Sequence, residues 1–223
     1  MYLRFLQIYA KKSYIAEKTN TMSRKKSLLH RLSDISKIHH RAAFTDVEKH
    51  TAPQKSDFLR LASERYSCRA FTEAPVSDKH LSSILEAARL APTAQDRQPV
   101  HIWVFKSAEA LERIKQVTRY SYDAPLVILV GCYPAKAWVR AADGKNGAEV
   151  DAAIVGTHIM METAALGLGS TWVGSFDPAK LAELFPETAG CVPVALFPIG
   201  HPKAKPSENH SKRKSIEELV SEI

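Results

Sequence analysis

The chain has 223 residues, of which 45% are hydrophobic and 25% are charged. This length suits one domain with a sizeable core, and no stretch of the sequence reaches the roughly 18 apolar residues of a membrane span. The net charge of +7 lies in the first 55 residues, which carry 12 Lys and Arg against 4 Asp and Glu; the remainder carries 19 against 20. A nearly neutral body argues against a nucleic-acid-binding surface on the folded domain.

Residues 1–55 are predicted to be a basic N-terminal extension that is disordered or partly helical, with an amphipathic helix near Leu28 to Ile38. The segment lacks the apolar core and cleavage site of a secretory signal. Its Lys and Arg content loosely suits an organellar transit peptide, which its four acidic residues weaken. A start site placed too early, with Met22 as a later start, is a further alternative. A nucleic-acid or membrane-surface function would depend on this extension alone.

The domain predicted for residues 56–223 begins with a short amphipathic helix from Ser56 to Glu64, capped by Ser56 or Asp57. It leads into Arg-Tyr-Ser-Cys-Arg-Ala-Phe, residues 65–71. In an extended backbone the side chains of Arg65, Ser67 and Arg69 share one face. Two guanidinium groups beside a hydroxyl can grip a phosphate, because Arg bonds its oxygens bidentately. Alone, the pattern also fits a solvated basic surface.

The middle of the chain alternates between helical and extended patterns. A second helix is predicted to start with Ser77 as its N-cap and to end at Pro92. A turn from Pro92 to Pro99 and a strand from His101 to Phe105 follow. Ser107 caps a further helix through Lys115. The run from Pro125 to Cys132 is too continuously apolar to face water, which predicts a central strand.

A loop is predicted from Tyr133 to Asn146, either covering a ligand or forming an ordinary surface loop. Gly147 to Leu166 is the longest helical pattern, and because it is apolar on most sides we expect it in the middle of the domain or at a subunit interface. Gly167 and Gly169 end this helix. They precede a strand predicted at Thr171 to Phe176, so they are not the strand-to-helix glycines of a dinucleotide fold.

The last third of the chain predicts a short helix from Asp177 to Phe185, a final strand from Val192 to Ile199, and a short amphipathic piece from Ile216 to Ile223. Helices and strands are interleaved without strict alternation. This pattern favours an α+β fold in which helices cover a sheet.

No residue stands out as a catalytic acid, base or nucleophile, and none as a metal ligand. Cys68, Cys132 and Cys191 are widely spaced and odd in number, which is typical of reduced thiols in a cytosolic protein and not of a disulfide framework or zinc site. The chain contains no HExxH, Walker or nucleophile-elbow motif. The absence fits an enzyme whose cofactor carries the chemistry.

Four blocks, in this order and spacing, resemble the FMN-dependent nitroreductase family over about Asp57 to Ile223. They are Arg65 to Phe71, Ala91 to Pro99, Gly167 to Phe176, and Gly200-His201-Pro202 with Lys212-Arg213-Lys214. The resemblance implies a mainly antiparallel central sheet flanked by helices, in an intertwined homodimer with flavins at the subunit interface. It also implies a cytoplasmic enzyme with bound FMN and with NADH or NADPH as electron donor.

The resemblance further implies which residues bind the cofactor. Arg65, Ser67 and Arg69, joined by Arg213, would bind the FMN phosphate and ribityl chain, and Tyr66 would contribute backbone contact only. Gln98 would meet the ribityl or pyrimidine side of the flavin. Val173 and Gly174 would place backbone N–H groups near the flavin N5, where hydride arrives.

One position departs from the family pattern. The family has Asn where this chain has Asp96, two residues before Gln98. An ionised Asp accepts hydrogen bonds but cannot donate to the pyrimidine oxygen, and its charge opposes an anionic reduced flavin. We therefore expect either a more negative flavin potential or an Asp96 that is turned away from the ring.

The expected activity is an FMN-dependent NAD(P)H oxidoreductase that reduces nitroaromatic, quinone or similar electron-poor small molecules in a two-step, ping-pong flavin cycle. Two alternatives remain open from the sequence. One is a specialised flavin reaction on the same fold, such as reductive dehalogenation or a dehydrogenation. The other is a non-catalytic flavin-binding protein.

Overall fold

A computed structural model of the chain describes residues 56–223. The N-terminal extension and the helix expected near residues 28–38 lie outside the described residues. Within residues 56–223 the strands are β1 (Val100–Phe105), β2 (Leu126–Cys132), β3 (Gly169–Ser170) and β4 (Val192–Gly200). The α-helices are α1 (Asp57–Glu64), α2 (Asp78–Arg89), α3 (Ala108–Val117), α4 (Ala148–Ala165), α5 (Pro178–Leu184) and α6 (Ile216–Leu219).

The strands form one antiparallel sheet in the order β1-β2-β4-β3. Every residue of β2 is buried, because helices cover both faces of the sheet. On one face Ile128 and Val130 pack with residues of α2 and α4. On the other face Val127 and Leu129 pack with residues of α3 and α5. The predicted α+β fold, with a central antiparallel sheet flanked by helices, is confirmed.

The helix starts follow the predicted capping residues. Ser56, Ser77 and Ser107 each accept a hydrogen bond from the backbone N–H three residues later. Asp177 accepts from the two backbone N–H groups at the start of α5. Such side chains satisfy N–H groups that have no partner inside the helix, so these local sequence signals were sufficient to place the helix starts.

Helix α4 spans 18 residues, as its apolar pattern predicted. Its last residue is Ala165, and Leu166 is its C-cap. Gly167 follows with a φ of +72°, which favours glycine, and the Leu168 N–H then returns to the Thr163 carbonyl at 3.0 Å. At its centre a β-carbon on Gly156 would lie 2.7 Å from the Phe197 ring, so glycine permits close packing of α4 on β4. No helix in the described part of the chain is long and apolar enough to cross a membrane.

The strand predicted at Thr171 to Phe176 is wrong in its extent. Regular pairing with β4 covers Gly169–Ser170, and only Val173 resumes it, through an isolated bridge to Leu196. Between these two points the Trp172 ring packs edge-on against Phe197 with 5.1 Å between centroids. Beyond Val173 the chain leaves the sheet, since the Asp177 N–H donates to the Val117 carbonyl at 2.9 Å.

Candidate functional site

The segment of residues 65–71 runs from the end of α1 along the sheet edge formed by β3. The Cys68 N–H donates to the Ser170 carbonyl at 2.9 Å, and Ser67 bridges Ser170 in parallel. Cys68 is 1% exposed, whereas Ser67 and Arg69 on either side of it are exposed. The extended geometry with a period of two is therefore present, and it turns the polar side chains of this segment outward.

The C-terminal segment is held against the same place by side chains from the start of the domain. The Tyr66 hydroxyl donates to the Ala204 carbonyl at 2.7 Å. The His210 Nε2 donates to the Ser63 carbonyl at 2.9 Å, and the His210 ring meets the Tyr66 ring edge-on at 6.1 Å. Tyr66, expected to contribute only its backbone, thus has a structural role for its side chain.

This docking brings Arg213 close to Arg65. Arg65 is half-buried, and its pKa is lowered first by burial and then by the positive charge of Arg213. Two guanidinium groups that approach each other in a partly desolvated place repel unless an anion lies between them. Since Arg binds phosphate bidentately, this pair could hold an anion such as a phosphate.

A cleft of about 950 Å³ opens beside Arg69. Its lining carries the basic side chains Arg69, Lys115, Arg119 and Lys203. Lys115 pairs with Glu112 at 2.7 Å and Asp123 at 3.0 Å. The other three basic side chains form no salt bridge with any carboxylate of residues 56–223. Glu73 and Asp123 also line the cleft. Four basic and two acidic side chains leave its lining with a net positive charge, which suits an anionic ligand.

Sequence reasoning missed the part of this cleft formed between α3 and β2. Thr118, Arg119 and Ser121 line it, and the Thr118 hydroxyl also donates to the Ser175 carbonyl at 2.7 Å. This stretch matches no motif, and its only sequence signal is a hydroxyl-rich and basic run, Thr-Arg-Tyr-Ser-Tyr, directly before the central strand.

The Thr118–Ser175 hydrogen bond places the predicted pair Val173 and Gly174 beside the same stretch. The backbone N–H groups of these two residues differ in whether they already have a hydrogen-bond partner. The Val173 N–H donates to the Leu196 carbonyl at 2.9 Å and its side chain is 5% exposed. Gly174 is exposed, and its N–H has no partner within the described residues. Of the two donors implied by the resemblance, Gly174 is the one that remains free to meet a ligand.

The turn that carries Asp96 and Gln98 has an unusual backbone. Gln95, Asp96 and Gln98 have φ values of 54°, 53° and 48°, which non-glycine residues seldom adopt. The Gln98 N–H donates to the Thr93 hydroxyl at 3.0 Å, and the Gln98 amide donates to Asp96 at 2.8 Å. Asp96 therefore faces Gln98, and both side chains are exposed.

Within one copy of the chain, the turn that carries Asp96 and Gln98 lies far from Arg65. The Ala94 N–H, at the start of the turn, donates to Asp151 in the first turn of α4. Arg65 shares a cavity with Ala164 near the other end of the same helix. Residues 151 and 164 lie about 20 Å apart along the helix axis, at a rise of about 1.5 Å per residue.

The structure gives no sign of nucleophilic or metal chemistry in its described part. No group of three or more His, Cys, Asp or Glu side chains in residues 56–223 could hold a metal ion. Burial is the largest cause that raises the pKa values of Cys132 and Cys191 to about 11. Because the thiolate is the reactive form, burial makes both thiols weaker nucleophiles than a free cysteine.

Comparison with known proteins agrees with this architecture. The model of the nitroreductase family matches residues 62–123 and 119–201. The chain belongs to the nitroreductase family. A curated relative in the family is the "Putative NADH dehydrogenase/NAD(P)H nitroreductase" of Methanothermobacter thermautotrophicus, 29% identical over 68% of this chain and 81% of its own length.

Solved structures of the nitroreductase family share the fold. A nitroreductase family protein from Clostridium difficile is 36% identical, with a TM-score of 0.70 over 74% of this chain and 98% of its own. A protein from Desulfovibrio desulfuricans, solved in complex with FMN, is 25% identical, with a TM-score of 0.64 over 76% of this chain and 98% of its own. The family expected from the four sequence blocks is thus confirmed.

Proposed function

We propose that this protein is an FMN-dependent NAD(P)H oxidoreductase that reduces electron-poor small molecules such as nitroaromatics or quinones. The observation that carries the proposal is that Arg213 lies close enough to Arg65, at the opposite end of the domain, for its charge to lower the Arg65 pKa. Arg69, four residues after Arg65, lines the basic cleft. Family membership, an FMN-bound relative and a relative named for NAD(P)H nitroreductase activity support it.

Arg65 and Arg213 would bind the FMN phosphate. Arg65 and Arg213 supply two guanidinium groups, and Ser67 is exposed beside them with a free hydroxyl on the outward face of its segment. A phosphate between the guanidinium groups replaces their repulsion with charge-assisted hydrogen bonds, which are about twice as strong as neutral ones. Cofactor binding would thereby relieve an unfavourable interaction that exists in the protein alone.

The basic cleft would hold the flavin ring. Bound FMN would supply the redox chemistry, taking hydride from NAD(P)H and passing electrons to the acceptor. The net positive charge of the cleft lining, four basic against two acidic side chains, would favour an anionic ligand. The free N–H of Gly174 would donate to the ring edge, while the hydrogen bond from Thr118 to Ser175 would keep the Gly174 backbone in place.

We propose that the site is completed by a second copy of the chain, which would contribute Asp96 and Gln98. The separation along α4 supports this, as do large apolar side chains that one copy leaves in water. Phe58 and Leu59 of α1 are 69% and 52% exposed, and Val150 of α4 is 53% exposed. Exposed apolar side chains of this size become buried when a second copy covers them. A solution mass near the 24.8 kDa of one chain, measured by light scattering at micromolar concentration, would contradict the homodimer.

Residues 56–223 would form the FMN-binding domain, with residues 1–55 as a separate basic extension. We place the protein in the cytoplasm, because all three thiols are free and a reducing compartment keeps thiols in this state. Deleting residues 1–55 and then measuring FMN binding tests the division. The proposed boundary is wrong if the shortened chain no longer binds FMN.

The first experiment is an absorbance spectrum of the purified protein before and after anaerobic addition of NADH and then NADPH. We expect a flavin band that one or both nucleotides bleach, and whose colour returns when a nitroaromatic or quinone is added. A flavin band that neither nucleotide bleaches would favour a non-catalytic flavin-binding protein. A colourless protein that FMN does not reconstitute would contradict the proposal.

Replacing Asp96 with Asn tests the position that departs from the family pattern. We expect the midpoint potential of bound FMN to rise by about 30 mV, which corresponds to about 1.4 kcal/mol for a two-electron couple. The physical reason is that removal of a negative charge stabilises an anionic reduced flavin. The potential would be measured by redox titration against a reference dye, with Glu149→Gln as the charge-matched control. An unchanged potential would remove Asp96 from the flavin site.

A further inference from the structure

Asp151 is the only buried carboxylate in residues 56–223, with 2% of its surface exposed. It lies in the first turn of α4, and its Oδ1 accepts the Ala94 N–H at 2.9 Å. Its Oδ2 is buried and has no hydrogen-bond partner in the described part of the chain. Burying a charge is unfavourable unless it is compensated, so a carboxylate at this place calls for a specific reason.

The groups around Asp151 do not include a paired cation. Arg97, in the same turn as Ala94, directs its guanidinium to the Gln95 amide oxygen at 3.2 Å and the Ala137 carbonyl at 3.5 Å. The nearby Cys132 thiol is neutral, because burial foremost, and then the charges of Glu149 and Asp151, raise its pKa to about 11. The compensation that remains is the Ala94 N–H and the positive end of the α4 dipole.

Asp151 contacts a turn whose backbone conformation is unusual. Three of the four residues from Gln95 to Gln98 have positive φ, and such conformations persist where surrounding structure fixes them. Within the turn, the Asp96 N–H donates to the Thr93 carbonyl at 3.0 Å, the Arg97 N–H to the Ala94 carbonyl at 3.2 Å, and the Gln98 N–H to the Thr93 hydroxyl at 3.0 Å. The Ala94–Asp151 hydrogen bond instead ties the turn to the long helix, across 57 residues of sequence.

We propose that Asp151 is a positioning residue, which fixes the Thr93–Gln98 turn through Ala94 so that Asp96 and Gln98 are set in advance for the flavin. The proposal rests on the proposed function for its consequence, although the anchoring itself concerns this chain alone. Asp151 does not touch the cofactor. It acts on cofactor binding by removing the disorder that the turn would otherwise lose on binding.

The anchoring is tested without cofactor, by hydrogen exchange of the Ala94 amide in the apoprotein. In Asp151→Ala we expect this amide to exchange at least about tenfold faster, because its hydrogen bond to the Asp151 side chain is lost, while the amide of Ile128 in the central strand is unchanged. Asp151→Asn keeps an acceptor oxygen and should retain most of the protection. Glu149→Gln removes an exposed carboxylate from the same helical turn and is the matched control.

The consequence is tested by FMN affinity, measured as quenching of flavin fluorescence. We expect Asp151→Ala to weaken FMN binding about tenfold, with Asp151→Asn close to wild type. Ala94→Pro removes the same hydrogen bond from the donor side. Thr93 already has the extended backbone that precedes proline (φ −131°, ψ 156°), and proline is tolerated at the first position of a helical turn.

The double variant Asp151→Ala with Ala94→Pro should bind FMN no more weakly than Ala94→Pro alone, since both changes remove one interaction. Should Asp151→Ala not fold, Asp151→Asn provides the comparison of Ala94 exchange, and Ala94→Pro provides the comparison of FMN affinity. Unchanged Ala94 exchange would overturn the proposal, as would accelerated exchange that extends equally to Ile128. A wild-type protein that binds no FMN would contradict the proposed function, whereas the exchange result would still decide whether Asp151 anchors the turn.

Discussion

Replacing Arg65 with Gln is expected to weaken FMN binding by about 10- to 100-fold, the range for loss of a hydrogen bond to a charged group. The same change should leave the stability of the apoprotein unchanged or slightly higher, because it removes a charge that Arg213 repels. Weaker FMN binding without a loss of apoprotein stability distinguishes an arginine that binds phosphate from one that stabilises the fold. Titration of the apoprotein with FMN gives the affinity, and thermal unfolding of the apoprotein gives the stability.

Arg60→Gln is the matched control for this prediction. Arg60 lies in the preceding helix α1, is exposed, and pairs with Asp57 and Glu64. Exposed pairs of this kind contribute about 0–1 kcal/mol to stability, so its loss should leave FMN affinity unchanged. Equal loss of affinity in both variants would point to general attraction of the anion. Unchanged affinity in Arg65→Gln would place the phosphate elsewhere.

Replacing Phe197 with Ala is expected to lower the free energy of unfolding by about 4 kcal/mol, within the range for large core truncations. Phe197 is fully buried in β4, and its ring packs against Trp172 and over Gly156. Since Trp172 directly precedes Val173 and Gly174, which we propose to lie near the flavin, weaker FMN binding should accompany the loss. Urea unfolding at fixed protein concentration measures the free energy, which keeps any subunit contribution constant.

Two further substitutions serve as controls for the loss of stability in Phe197→Ala. Val192→Ala, at the exposed end of the same strand with 38% of its surface accessible, should cost less than about 1 kcal/mol. Phe197→Leu keeps most of the volume and should fall between the two. If Phe197→Ala cost no more than Val192→Ala, the packing of α4 against β4 around Gly156 would not be a principal support of the fold.

Local sequence signals predicted most of the fold because they depend on neighbours a few residues away. Serine caps placed the starts of α1, α2 and α3, and the continuous apolar run of β2 placed the central strand. The extent of the strand at Thr171 to Phe176 was wrong for a tertiary reason. Trp172 packs against Phe197 and the following residues bond to the α3–β2 connection, and neither contact is visible in local propensity.

Some features of the candidate site could likewise be predicted from the sequence, and others could not. The alternation of Arg65, Ser67 and Arg69 was predicted from the period of an extended chain, and the structure has it. The cleft formed by Thr118 and Arg119 was not predicted, because no motif marks these residues and only folding brings them beside Arg69. The sequence also did not show which backbone N–H groups are free to bind a ligand. The Val173 N–H donates to the Leu196 carbonyl, whereas the Gly174 N–H has no partner in the described residues.

The sequence by itself determined the family, the helix starts and the buried strand, since each depends on residue types at short or fixed spacing. Only the tertiary structure decided which distant residues meet. Tyr66 and His210 bind the C-terminal segment to the first helix across 138 and 147 residues, and this contact brings Arg213 to Arg65. Asp151 meets Ala94 in the same manner. Such contacts depend on how elements pack in three dimensions, which residue spacing along the chain does not encode.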